Sequence, residues 1–487
     1  MTHRIHLSII QPPGYVHSLG FLDQARYVRY QFRQLGAEVT LGKNRLREDA
    51  INIIFGAHLG FPAQLKERFT CVFFNLEQLG EDGAIVSKAY IDLLSSSAVM
   101  DYDARNLTAY GCKHGDVPIV SFQYAPYLSS ASCLPMEDRP IDLLFFGGIN
   151  ERRHKIFERI EACGWSVSRF DHPLFSEERD QFIRQSKAVF NCHFYESSRF
   201  EQARAFHTLS MGTPVISERT ERTTPPPAFE DAVSWVSDDE LEDFFVNEFM
   251  TPQWLQRAQQ QLQAFAQTDA SPSWQIAHNY CEALWDMGGR EKNQQIWYPT
   301  RMNLGSDKDY KLGWLNVDLL ERVHPDLVID LGQDIQLPIE SKTLNGVHVV
   351  LQADSMDTIL VNNAISHASD LPCLMTNMLS LLKEGGRIEL DFHDPQSIRN
   401  PEKKQETSSK VLEVLSQFTD YFWHSGWFNY RLEIESVKST ENLAFIYSQT
   451  KDHVLKVRMK KVATTLREKT AARAMMTDFE NISSDIF

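Results

Sequence analysis

Residues 141–157, IDLLFFGGINERRHKIF, pass from an apolar run through two glycines into a stretch dense in cations. The run reads as a β-strand and the cationic stretch as a helix, with Gly147 and Gly148 at the joint. Glycines let a ligand approach the backbone, a helix start offers unpaired N–H groups, and Arg152, Arg153 and Lys155 add positive charge. Together these suit a diphosphate. Residues 191–218, NCHFYESSRFEQARAFHTLSMGTPVISE, then run strand, polar loop, helix, Gly-x-Pro and strand. Their loop gathers Glu196, Arg199, Glu201 and Arg204 at the C-terminal edge of a sheet, where open α/β folds bind ligands.

Outward from this centre the same alternation continues, the order expected of parallel sheets with crossover helices. RIHLSII near the N-terminus reads as a first strand, followed by a Pro-Pro-Gly turn. From Asp23 to Leu35, Ala25, Val28, Phe32 and Leu35 recur at three- and four-residue steps, which predicts a helix with one buried face that Gly36 ends. EVTL, INIIFGA, CVFFNLE, SAVMDY and VPIVSF follow as strand candidates. Beyond residue 157 come strand WSVSRF, a helix through 176–186, strand AVFNCHF and a short capped helix in SDDELEDFF (237–245). Residues 251–290, rich in Gln, Ala and Trp, read as linking helices. A third unit opens at RMNLGSDKDYKLGWLNVDLL (301–320), with strand candidates DLVIDL, GVHVVLQ, RIELDF, YRLEIES and AFIYS, and a basic stretch Lys456–Arg473 that reads as helical.

The 487 residues exceed one hydrophobic core and suit roughly three domains. A composition of 43% hydrophobic and 23% charged residues argues against a mainly disordered chain. With 49 Lys and Arg against 65 Asp and Glu the formal charge is −16, which speaks against a sequence-independent grip on nucleic acid. MTHRIHLSII lacks the pattern of a secretory signal, and no run approaches the ~18 apolar residues of a membrane span. Seven singly scattered cysteines suggest neither a disulfide framework nor a zinc knuckle. A cytoplasmic protein is expected.

In its first half the chain resembles glycosyltransferases of the two-lobed GT-B fold, in particular a bacterial group with GGxNxRR, HFYES, FEQxR and GxPVISE motifs. The resemblance covers about residues 5–250. It implies a nucleotide-diphosphate sugar bound to the second lobe through Gly147, Gly148, Arg152, Glu196, Glu201 and Arg204. The acceptor would be a hydroxyl on a glycan, a lipid-linked glycan or a protein, as in polysaccharide biosynthesis. The E-x7-E pattern of retaining members is absent, since Arg199 and His207 hold its two positions. QPPGYVHSLGFLDQ looks similar to the opening of inverting members, whose general base is a loop histidine; His17 holds that place and Asp23 would orient it or act itself. His58 and Glu77, at other strand ends, are rivals. Asp101-Tyr102-Asp103 matches a D-x-D metal pattern that GT-B enzymes do not need, so no metal is expected.

The third unit resembles class I methyltransferases that bind S-adenosylmethionine. NLGSDKDYKLGWLNVDL matches their glycine loop and acid-ended second strand, placing Gly305 and Asp318 at the cofactor. MLSLLKEGGRIEL matches a later turn and strand. Asp307 replaces the loop's second glycine, where a carboxylate would crowd the cofactor, and Ile365-Ser366-His367 stands where Leu-Glu-His is usual. The expectation is three Rossmann-like α/β domains, a GT-B N-terminal lobe (1–135), a donor lobe (136–250) and a methyltransferase-like domain (299–487), with a helical linker (251–298) before the last. A bifunctional enzyme, a methyltransferase with a sugar-binding front half, and a non-catalytic sugar-binding scaffold are the alternatives.

Overall fold

The computed structural model describes residues 4–12, 14–80, 83–113, 115–129, 134–170, 175–195, 198–289, 295–307, 309–362, 365, 368–393, 415, 430–441 and 453–465. It forms two compact units, Met1–Arg290 and Glu291–Phe487. The described residues form an α/β fold with three Rossmann-like sheets, two of them in the first unit.

In the first sheet, β1 (Arg4–Ile9), β2 (Glu38–Lys43), β3 (Ile51–Phe55), β4 (Cys71–Asn75) and β5 (Ala98–Asp101) lie parallel in the order 2-1-3-4-5. β3 and β4 are buried along their whole length, as near-continuous apolar runs between two helical layers must be. The helix Leu22–Gln34 buries Ala25, Val28 and Phe32, the face its periodicity predicts. Gly36, at φ +85°, closes it. VPIVSF forms no named strand: Val117 and Ile119 make isolated bridges, Ile119 to Asp101, whose N–H donates to the Pro118 carbonyl and whose carbonyl accepts from Val120.

The second sheet repeats the plan. β6 (Ile141–Leu144), β7 (Val167–Ser168), β8 (Ser186–Asn191), β9 (Val215–Arg219) and β10 (Ser234–Ser237) are parallel and, counted within this lobe, again run 2-1-3-4-5. Residues 237–248 form the short capped helix, with Ser237 and Glu240 bonding each other's ends. The helices Pro252–Phe265 and Ser271–Leu284, read as a linker, are built into this unit: Trp274 is fully buried against Tyr27, Phe32 and Phe74, and its indole N–H reaches the Ser121 carbonyl at 3.1 Å.

The second unit holds β11 (Arg301–Leu304), β12 (Leu315–Asp318), β13 (Leu327–Val328), a hairpin of β14 (Ile339–Lys342) and β15 (His348–Leu351), then β16 (Met356–Asn362), β17 (Leu382–His393), β18 (Tyr430–Glu441) and β19 (His453–Ala463). Its main sheet runs β13-β12-β11-β16-β17-β19-β18, parallel except at β19 and β18. Two expectations are corrected here. GVHVVLQ is a strand as expected but lies in the separate hairpin, and the central strand is MDTILVN, whose apolar run Asp357 and Thr358 interrupt. The basic stretch is a strand over its described part: Val457, Met459 and Lys461 are buried in alternation with exposed or half-buried Lys456, Arg458 and Lys460, a period of two rather than 3.6. AFIYS lies outside the described residues.

Each parallel sheet reverses its winding beside its first strand, and ligands of open α/β sheets bind at that point, beyond the strands' carboxyl ends. The loops after β1, β6 and β11 carry His17, Gly147-Gly148 and Gly305 respectively.

Candidate functional site

Between the two sheets of the first unit lies a cleft with two cavities, of about 290 and 540 Å³, that share His17, Gly20, Gln24, Glu201 and Ala203. The larger is lined by Phe145, Phe146, Gly147, Gly148, Arg179, Arg204 and His207. Gly147 adopts φ +137°, a conformation that favours glycine, and a Cβ there would stand 2.9 Å from Arg204 Nη2, the far end of a flexible side chain. Arg204 donates to Asn191 Oδ1 at 2.6 Å and lies over the Phe145 and Phe146 rings. Arg153 points inward, donating to the carbonyls of Gly148, Cys192 and His193. Burial, then the nearby Arg204, brings it down to about 10. It braces the glycine turn. Arg152 makes a two-toothed ion pair with Glu218 and lines neither cavity. Lys155 pairs on the surface with Glu151. Asn150 caps the helix start by accepting the Arg153 N–H.

The wall of the larger cavity is an ionic cluster drawn from three helices. Arg179 pairs with both Asp23 of the first lobe and Asp180. His207 Nε2 lies 2.8 Å from Asp180 Oδ1 and 2.8 Å from Arg179 Nη2, and its Nδ1 is 4.0 Å from Asp23. Burial alone would raise Asp180, but the hydrogen bond and charge of His207, with Arg179, outweigh it and hold the carboxyl at about 2. Asp23, a candidate base or orienter of His17, is buried and engaged by Arg179. His17 is exposed at the junction of the cavities and packs on Tyr15.

The smaller cavity is lined by carboxylates, carboxamides and rings: Glu77, Glu201, Gln24, Gln78, Tyr102 and Tyr195 among them. Burial, then the charge of Glu201, pushes Glu77 up to about 7. His58 Nε2 lies 3.6 Å from Glu77 Oε1, and burial lowers His58, so this pair carries little net charge attraction near neutrality. Glu201 stands at the start of the helix Gln202–Ser210 and faces both cavities. Glu196 lies outside the described residues.

Arg199 bridges the lobes, pairing with Asp103 at 2.7 Å and donating to Asn106 Oδ1 and the Leu79 carbonyl. Gln78 returns the contact, accepting the Arg199 N–H and donating to the Phe200 carbonyl. Asp101 of the D-x-D pattern is buried and accepts from Asn75, Asn106, Tyr110 and two backbone N–H groups; burial pushes it up to about 6 against those bonds. Arg179 and Asp180 are not among the residues that the sequence singles out. Arg179 and Asp180 sit in a helix that reads as ordinary and amphipathic, and only packing turns them inward.

The second unit has its own cavity of about 540 Å³, lined by Gly305, Asp307, Asp318, Arg322, Asp330 and Asn362 among others. Gly305 has φ +71°. Asp318 accepts the backbone N–H groups of Asp307 at 2.9 Å and Leu320 at 3.0 Å. Asp307 is exposed and holds φ +36°, unusual for a residue with a Cβ. Asp330, which the sequence reading passed over, accepts from the Gly332 N–H and Ser369 hydroxyl. Ser366 and His367 lie outside the described residues.

No family model matches the chain, and no curated protein does. Among solved structures the chain is similar to WaaG, a glycosyltransferase involved in lipopolysaccharide biosynthesis, at 12% identity over 57% of this chain and 99% of that one, with a TM-score of 0.38. It is also similar to the W203A mutant of a 16S rRNA (adenine(1408)-N(1))-methyltransferase from Catenulisporales acidiphilia, at 13% identity over 38% of this chain and 91% of that one, TM-score 0.21. A SAM-dependent methyltransferase from Thermotoga maritima matches at 13% identity over 33% and 81%, TM-score 0.21. Among the described residues, no helix is long and apolar enough to cross a membrane and no group of three or more His, Cys, Asp or Glu side chains is placed to hold a metal ion.

Proposed function

We propose that the first unit transfers a sugar from a nucleoside-diphosphate donor to a hydroxyl acceptor. The observation that carries this is the cleft itself: a cavity walled by a glycine turn, Arg204 and the Arg179–Asp23 pair opens into one walled by Glu77 and Arg199, with Glu201 and His17 where they meet. The glycine turn and Arg204 suit a diphosphate, whose growing charge as the glycosidic bond breaks is offset by fixed cations and N–H groups. Glu201 lies where the sugar or ribose hydroxyls of a donor would reach. At the junction, neutral His17 takes the acceptor's proton as its oxygen attacks the anomeric carbon. Asp23 anchors Arg179 in this scheme. The acceptor is a glycan, a lipid-linked glycan or a protein.

A thermal-shift panel of UDP, GDP, dTDP and CMP tests the donor site. Arg204→Ala and Glu201→Ala should each weaken binding by roughly 1.5–3 kcal/mol without unfolding the chain; unchanged affinity in both removes the donor role from this lobe. With a donor identified, His17→Ala should lower turnover by about 10²–10⁴-fold at unaltered donor affinity.

A second reading, that the chain also transfers a methyl group, is favoured by the cavity that joins Gly305 and Asp318 in the second unit. Asp307 on its rim counts against it.

A further inference from the structure

The helix Leu22–Gln34 buries Ala25, Val28 and Phe32 on one face and carries Arg26, Arg29 and Arg33 on another, at steps of three and four. Arg26 and Arg33 are exposed and Arg29 is half-buried. Among the described residues no carboxylate pairs with these three, whereas Arg4, Arg47, Arg68, Arg159 and Arg179 each meet one. Burial lowers Arg29 from its ordinary value, and after it the like charges of Arg33 and Arg26 do the same. In a chain with 65 acids against 49 cations, three adjoining arginines without an acid are a local reversal of charge. Apolar side chains continue the face. Leu19, in the short helix Val16–Phe21 that runs straight into this one, stands about two turns before Arg26 and is 40% exposed, with Val16 at 48%. The rings of Tyr30 and Tyr127 meet at 5.2 Å, within reach of the Arg26 charge. Exposed Tyr15 packs on His17 at the mouth of the cleft.

We propose that this face docks the chain on an anionic lipid bilayer, Arg26, Arg29 and Arg33 meeting lipid phosphates while Val16, Leu19 and the tyrosines enter the boundary of the acyl chains. Cations and apolar side chains on one face are the composition of a surface that lies in the membrane interface. Each cation near an anionic bilayer is worth about fivefold in affinity. The net charge of −16 opposes docking only weakly, because charges beyond about 10 Å are screened at ordinary salt. An acidic protein would also take the arginines. The exposed apolar side chains beside them favour the bilayer, which needs no matching surface. The proposal does not rest on the transfer reading; where both hold, a lipid-linked acceptor is presented at the cleft mouth.

The full chain is sedimented with vesicles of phosphatidylcholine alone and of phosphatidylcholine mixed equally with phosphatidylglycerol, at about 0.05 M and about 0.5 M salt. Wild type should bind the anionic vesicles at low salt at least about tenfold more tightly than the neutral ones, and lose most of that binding at high salt. Arg26→Gln combined with Arg29→Gln should weaken binding to anionic vesicles by roughly 30-fold. Arg33 is left in place because it donates to the Val39 carbonyl. Val16→Ser combined with Leu19→Ser should weaken vesicle binding by roughly tenfold and leave affinity for soluble poly-glutamate as in wild type. Circular dichroism checks each fold, and the nucleotide panel reports separately on the donor reading. No binding of anionic vesicles by wild type, equal binding of neutral ones, or undiminished binding by the arginine variant overturns the proposal. Vesicle binding that poly-glutamate matches and that the Val16 and Leu19 changes leave unaltered overturns the bilayer as occupant and makes an acidic protein the partner.

Discussion

Burial and the Glu201 charge push Glu77 up to about 7 from an ordinary value of 4.5, so the folded chain holds this proton more tightly than the unfolded chain. Stability from this group is therefore full below the unfolded value and is lost as pH rises through about 7. Glu77→Gln mimics the protonated form. It should stabilise the chain at about pH 8, on the order of 1–3 kcal/mol, with the gain shrinking near pH 5, as thermal melts at both would read. An equal gain at both values would mean that the charge of Glu77 is not the cause. Asp307 is the matching case in the second unit. Glycine at its φ of +36° removes backbone strain, so Asp307→Gly should stabilise by about 0.5–1 kcal/mol. If the carboxylate blocks the cavity, calorimetry with S-adenosylmethionine shows binding only in this variant; micromolar binding by the natural sequence contradicts the block.

The turn from β6 into the helix Glu151–Ala162 is the element on which the donor site depends. Arg153 is buried beneath it and ties three carbonyls together, while Asn150 caps the helix it enters. Gly147→Ala places a Cβ in a left-handed conformation against Arg204 and should cost about 1–2 kcal/mol of local strain, shifting the guanidinium. Nucleotide affinity should fall roughly tenfold while circular dichroism stays native; undiminished affinity would separate the turn from the site. This element was legible because strand, glycine pair and cationic helix follow one another in the chain. The partners of its arginines were not: Arg152 meets Glu218 and Arg153 meets the Cys192 carbonyl across intervening secondary structure. β19 shows the opposite failure. Its alternation was present in VLKVRMKKVA, but the density of basic residues drew the reading to a helix, whereas cross-strand pairs such as Arg458 with Glu389 distribute those charges over a sheet.

Two compact units, each with its own core and its own cavity, make independent ligand responses the expected behaviour of the whole chain. Scanning calorimetry with a nucleotide at 100 times its dissociation constant should raise one transition, by about 2.7 kcal/mol of stability, and leave the other in place. A single transition that moves as one would show the units to be energetically coupled. At this scale the sequence by itself determined the α/β class, the three sheets, and the loops after β1, β6 and β11 that carry His17, Gly147-Gly148 and Gly305, because period, glycine placement and strand order are local properties of a chain. Only the tertiary structure decided which charges meet. Asp23 and Arg179 stand 156 positions apart, and Gln78 and Arg199 stand 121 apart. It also decided that Trp274 belongs to the first unit's core and that MDTILVN is a central strand. Burial, pairing and the state of a buried carboxyl such as Glu77 depend on what the fold packs around each group, and no pattern of spacing along the chain encodes that.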